Sequence, residues 1–148
     1  MDDAPDDPDD QPAGGRPPAT ILSVCTRCNW TRTEAERDGV RGGARLIEAV
    51  RTATASLPDA VVRVRPVACM SNCKRACTVV LSAPGKFTLM FGDLDPDAAS
   101  AEVVDCARLH HGRPGGFLAR AERPPLLRAG ILARIPPPEW TSVTGDLP

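Results

Sequence analysis

The chain has 148 residues, six cysteines, no tyrosine and a formal net charge of −1. This length supports one domain with its own hydrophobic core. With only three Phe and two Trp, the chain is poorly suited to stacking nucleic-acid bases, and its apolar runs are far too short to span a membrane. The start Met1-Asp2-Asp3 is acidic, unlike a secretory signal, so we expect a soluble cytoplasmic protein.

The first 18 residues form an acidic segment with six aspartates and five prolines. Such a segment cannot bury enough apolar surface to become ordered. We therefore predict a disordered arm at 1–18, a folded domain at 19–113, and a C-terminal extension at 114–148 with a short helix at 126–132 and a proline-rich tail. Without the acidic arm, the rest of the chain is mildly basic.

The first half of the domain has the pattern of a βαβ unit. β-Branched residues at 19–24 predict a strand that leads directly into the first cysteine pair. Apolar residues spaced three and four apart over 44–57 predict a helix with one buried face. Alternation at 61–67 predicts a second strand, which should lie parallel to the first because a helix connects the two.

The second half has the pattern ββα. Two short strands at 77–81 and 86–91 flank a Pro-Gly turn, which predicts a hairpin. A helix should begin after Asp95-Pro96, with Pro in its first turn, and end near Gly112. The order βαβ, then ββα, is typical of a thioredoxin-like α/β domain with a mixed four-stranded sheet.

Several other residues have ordinary structural interpretations. Cys106 lies in the middle of the second predicted helix and should pack in the core. His110 and His111 end that helix, where a protonated imidazole interacts favourably with the carbonyl end. Gly42-Gly43 lacks the motif of a phosphate-binding loop and predicts a flexible entry to the first helix.

Five of the six cysteines lie in two predicted loops. Cysteines in a reducing compartment point to metal binding or catalysis rather than to disulfides. The carboxyl ends of parallel strands share one edge of a sheet, so we expect the two loops to converge there. Each iron of a [2Fe-2S] cluster needs two thiolates, and each loop could supply a pair. The five cysteines are Cys25 and Cys28 in the first loop and Cys69, Cys73 and Cys77 in the second.

These residues resemble a known group of proteins. The run Cys69-Met-Ser-Asn-Cys-Lys-Arg-Ala-Cys77, with the acidic helix start at 93–96, resembles the second cluster loop of thioredoxin-like [2Fe-2S] ferredoxins, a group that includes the small cluster-bearing subunit of respiratory NADH dehydrogenase. From Cys25 to Pro137 the chain is similar to a bacterial family of uncharacterised, predicted metal-binding proteins within that group. The Cys-x-x-Cys start and the ending Ala-Arg-Ile-Pro-Pro at 133–137 carry this likeness.

The resemblance implies that Cys69 and Cys73 are one ligand pair and that Cys25 is the first ligand. In those ferredoxins the second ligand follows the first by about ten residues, whereas Cys28 follows Cys25 by three. Cys77 stands where they usually carry proline, so it is an alternative fourth ligand. Because a Cys-x-x-Cys pair can bind one metal ion, we predict that Cys28 completes the site and that Cys77 lies nearby, outside the ligand shell.

We therefore predict a [2Fe-2S] protein that carries one electron. A structural or regulatory zinc site is an alternative, because four thiolates also suit zinc. A thiol-disulfide oxidoreductase is the third. Against it, about fifteen residues separate Cys28 from the predicted helix, whereas reactive thiol pairs open their helix directly.

The sequence offers no general base and no nucleotide motif, so an enzyme is not expected beyond redox participation. The expected partner is an unidentified redox protein, with a second copy of the chain as a further candidate. The resemblance also implies a link to cobalamin biosynthesis or metal handling. Basic residues near the two loops should favour the reduced, more anionic cluster and raise its potential. They are Arg27, Arg63, Arg65, Lys74 and Arg75.

Overall fold

The computed structural model describes residues 17–142 and 144–147. Nearly all of the predicted arm at 1–18 therefore lies outside the described residues. Within the described part of the chain, no helix is both long enough and apolar enough to cross a membrane.

The domain contains a mixed five-stranded sheet, a two-stranded hairpin and two helices. In chain order the elements are β1 (Thr20–Cys25), β2 (Glu36–Arg37), β3 (Val40–Arg41), α1 (Gly42–Thr54), β4 (Val62–Val67), β5 (Val79–Ser82), β6 (Thr88–Phe91), α2 (Ser100–Gly112) and β7 (Ile131–Ile135).

The main sheet has the strand order β4-β1-β5-β6-β7. β1 and β4 are parallel, with Thr20 opposite Val62 and Cys25 opposite Val67, so the predicted βαβ unit is confirmed. β5 and β6 form the predicted antiparallel hairpin. β5 also lies antiparallel to β1, which places the βαβ unit and the hairpin in one thioredoxin-like sheet.

The prediction of four strands is wrong, because β7 adds a fifth strand along β6. The predicted helix at 126–132 is also absent: a single 3-10 turn spans Pro125–Leu127, and β7 begins at Ile131. Two glycines allow this pairing. The N–H of Gly92 donates to the carbonyl of Gly130 at 2.8 Å, and a Cβ on Gly130 would lie 2.7 Å from the Gly92 oxygen.

The two helices pack against each other and against β1. α1 buries Leu46, Ile47 and Val50, and each such side chain contributes about 1.5–3 kcal/mol when removed from water. α2 buries Cys106, which is 0% exposed, so its predicted place in the core is confirmed.

His110 does not provide the predicted protonated imidazole at the carbonyl end of α2. It is 0% exposed, and burial lowers its pKa to about 4. Its Nε2 lies 2.7 Å from the carbonyl of Phe87, which can only accept, so Nε2 carries the proton. Nδ1 then accepts from the Thr20 hydroxyl at 2.8 Å. The cation at the end of α2 is Lys86 instead, whose Nζ donates to the carbonyls of His110 and His111 at 2.8 and 2.6 Å.

Candidate metal centre

The two cysteine loops leave the same edge of the sheet. Cys25 is the last residue of β1 and lies opposite Val67, the last residue of β4. The N–H of Thr26 donates to the Val67 carbonyl at 2.8 Å, which joins the two strand ends. Cys69 follows only two residues later. The order of the predicted strands and helix along the chain therefore predicted this edge of the sheet correctly.

Three thiols of this region are buried together. Cys25 is 1% exposed, and Cys28 and Cys77 are 0% exposed. The thiol of Cys77 donates to the carbonyl of Asn29 at 3.4 Å. The pKa of Cys28 is raised to about 12, mainly by burial and also by the neighbouring Cys25. Burial likewise raises the pKa of Cys77 to about 12, with Cys28 and Cys25 as secondary causes. Without a bound cation, both thiols are protonated at neutral pH.

The other two cysteines are exposed on the second loop. Cys69 accepts a hydrogen bond from the N–H of Ser71 at 3.3 Å, and Cys73 begins a 3-10 turn. Ser71 has a positive φ of 58°, a conformation that glycine adopts at lower cost.

The structure thus brings Cys25, Cys28 and Cys77 together and leaves Cys69 and Cys73 on the surface of the adjacent loop. Among the residues it describes, no group of three or more Cys, His, Asp or Glu side chains is arranged for a single metal ion. The ligand set of the sequence analysis therefore stays a prediction.

The role of Gly42 and Gly43 was not predicted from the sequence. They are the buried first residues of α1 rather than a flexible entry. A Cβ on Gly43 would lie 2.0 Å from the Cys25 carbonyl oxygen, and one on Gly42 would lie 2.5 Å from the Asn29 oxygen. The N–H of Gly43 donates to the carbonyl of Cys28 at 3.1 Å. The N-terminus of α1 therefore packs directly on the first cysteine loop, although thirteen residues separate it from Cys28 in sequence.

Trp30 extends from the same loop and covers it. Its side chain is largely buried, its Nε1 has no hydrogen-bond partner among the described residues, and the Arg37 guanidinium lies 4.9 Å from its ring centroid. Both residues line a cavity of about 450 Å³ that also includes Asp93 and Ala76. Ala76 immediately precedes Cys77 in the chain.

The basic residues around the loops are partly neutralised. Nε of Arg75 donates to Asp93 at 2.7 Å, and Arg32 lies 3.4 Å from the same carboxylate. The Arg75 guanidinium is the largest cause of the lowered pKa of Asp93. Arg65 donates to the Ser23 hydroxyl at 2.6 Å. The ion pair of Arg75 with Asp93 therefore weakens the positive potential expected at the cysteine loops, whereas the bond of Arg65 to an uncharged hydroxyl does not.

Comparison with solved structures finds a similar fold. The structure of a thioredoxin-like [2Fe-2S] ferredoxin from Aquifex aeolicus matches with a TM-score of 0.50 and 16% identity, over 84% of this chain and 99% of that chain. No curated protein matches the chain. A family described as "Protein of unknown function (DUF1636)" matches residues 22–137, which is most of the chain. The chain therefore belongs to the DUF1636 family.

Proposed function

We propose that this protein binds a [2Fe-2S] cluster and carries one electron. The observation that supports the proposal most is the convergence of two cysteine loops at the joined ends of β1 and β4. The likeness in fold to a thioredoxin-like [2Fe-2S] ferredoxin supports it as well. Four thiolates are the usual ligands of such a cluster.

The donor set fits this cofactor. Cys25 and Cys28 would hold one iron from the buried side, and Cys69 and Cys73 would hold the other from the exposed loop. A bound cluster would supply reversible one-electron chemistry. The buried pair would exclude water from one side, whereas the exposed pair would face solvent, where a partner protein can approach.

One feature of the chain favours negative charge at this place. The N-terminus of α1 packs on the first loop, and the partial positive charge of a helix N-terminus stabilises nearby anions. Burial in a neutral core would otherwise oppose ionisation of Cys28 and Cys77, as their raised pKa values indicate. Metal binding would offset that cost, because a cation stabilises the thiolate form.

A structural or regulatory zinc site is the second candidate, because a Cys-x-x-Cys pair together with a second thiolate pair also suits zinc. A thiol-disulfide oxidoreductase has less support. The thiol of Cys28 is fully buried with a raised pKa, whereas a reactive thiol needs exposure and a lowered pKa. An unidentified redox partner, a homodimer, a cytoplasmic location and a link to cobalamin or metal handling remain predictions.

The test is anaerobic purification followed by an absorption spectrum and by iron, sulfide and zinc analysis. We expect a coloured protein with two irons and two sulfides per chain, as the proposed cluster requires. Cys73→Ser should remove the cluster. Cys106→Ala is the matched control, because it deletes a buried thiol on α2 and should retain the cluster. A colourless protein with one zinc, or full cluster occupancy in Cys73→Ser, would contradict the proposal.

A further inference from the structure

A second cavity lies at the opposite end of the sheet from the cysteines. It is formed between α2 and the segment that follows it, and its volume is about 920 Å³. Val61, which immediately precedes β4, lines it, so it lies near the strand starts rather than near the strand ends where the cysteine loops meet. Four arginines line this cavity: Arg108, Arg113, Arg123 and Arg128.

Arg123 is the unusual member of this group. Its side chain is only 6% exposed. One of its terminal nitrogens donates to the Leu127 carbonyl at 3.0 Å, but its Nε is buried without a hydrogen-bond partner among the described residues. Within that part of the chain, no carboxylate forms an ion pair with Arg123. A buried charge without a counter-ion is costly.

Nearby cations increase the positive potential at Arg123. Burial lowers its pKa, and the charges of Arg134 and Arg120 lower it further. A guanidinium nevertheless remains charged at neutral pH. Arg128 uses its Nε to donate to the Arg123 carbonyl at 3.0 Å, which holds the two residues side by side.

The carboxylates that line the cavity do not neutralise the positive charge around Arg123. Glu122 lies 3.3 Å from Arg113 and forms an ion pair with it. The other two acidic residues, Glu102 and Asp105, belong to α2. The lining therefore holds four arginines against three carboxylates, and among the described residues Arg113 is the one of the four with an ion pair to a carboxylate.

We propose that this cavity binds a small organic anion through a carboxylate or phosphate group that contacts Arg123. Such groups accept charge-assisted hydrogen bonds from a guanidinium. Leu109 and Pro124 in the lining offer apolar contact to the rest of the molecule, and the volume is within the range of small-molecule sites. Arg108, which is exposed, would supply a second cationic contact.

The experiment is calorimetric titration of the full chain at low ionic strength with two probes, succinate and inorganic phosphate. We expect saturable binding of at least one, and the tighter probe identifies the carboxylate or the phosphate class. Arg108→Glu should weaken that binding by roughly tenfold or more, the loss expected for a charge-assisted hydrogen bond. Arg123→Met should also weaken it.

Arg51→Glu is the matched control, because it makes the same charge change on an exposed arginine of α1 outside the cavity. It should bind both probes as the wild type does. The proposal is overturned if neither probe binds saturably, or if Arg108→Glu and Arg51→Glu weaken binding equally. Because Arg108 is exposed, its replacement tests the site even if Arg123→Met fails to fold.

Discussion

The contact between α1 and the first cysteine loop predicts that Gly43→Ala is strongly destabilising. A Cβ there would lie 2.0 Å from the Cys25 oxygen, whereas such separations essentially never fall below 3.0 Å, so α1 and the loop must separate by at least 1.0 Å. Overpacking of this kind costs about 1–3 kcal/mol. Weakening the bond from Gly43 N–H to the Cys28 carbonyl costs about 1 kcal/mol more. The higher helix propensity of Ala offsets up to about 1 kcal/mol of this destabilisation.

We therefore expect Gly43→Ala to lower the free energy of unfolding by about 1–4 kcal/mol. The assay is urea denaturation followed by circular dichroism. Gly112→Ala is the matched control, because this glycine also lies in a helix but a Cβ there would meet nothing within 4 Å. That variant should be neutral or more stable by up to about 1 kcal/mol. Equal stability of the two variants would refute the reasoning.

Three further predictions concern other parts of the chain. The pKa of His110 is lowered from 6.5 to about 4, so its stabilising contribution is complete above pH 6.5 and is lost as the pH falls towards 4, with a total of roughly 3 kcal/mol. In an NMR titration its ring should stay neutral near pH 6.5, and ordinary titration there would contradict its burial. Cys28→Ser should lose the proposed cluster and Cys77→Ser should retain it with at most a shifted potential, as measured by absorption and voltammetry; the opposite pattern would make Cys77 the fourth ligand. Deleting residues 1–18 should leave the melting temperature and metal content unchanged, whereas a loss of several degrees would show that the arm packs on the domain.

The sequence predicted the elements whose formation depends on local pattern. The spacing of Leu46, Ile47 and Val50 predicts α1 because one face of that helix is buried. Alternation at 62–67 predicts β4, and the parallel order of β1 and β4 then predicts that their cysteine loops meet. These inferences need no knowledge of distant contacts.

The missed features depend on contacts between residues far apart in sequence. β7 forms because β6 offers it a free edge and because Gly92 and Gly130 can approach closely. Gly42 and Gly43 look like a flexible pair until the loop at 25–30 is placed against them. A glycine pair directly before a periodic apolar segment was the available signal, since close packing also selects glycine.

The difference in burial between the two pairs of cysteines also depends on contacts between residues far apart in sequence. Cys25 and Cys28 belong to a core that also includes residues of β5 and α2. The local sequence pattern does not predict that these residues pack together. Cys69 and Cys73 lie exposed on the second loop. Spacing predicted which cysteines share an edge of the sheet, but not which of them are exposed to solvent.

The position of β7 also bears on how the protein folds during its synthesis. β7 is the last strand to leave the ribosome and pairs with β6, which ends about forty residues earlier in the chain. Until residue 135 emerges, the edge of β6 that pairs with β7 has unpaired backbone N–H and C=O groups. Open strand edges promote association between chains. We therefore expect nascent chains that stop before Ile131 to aggregate more readily than the complete domain.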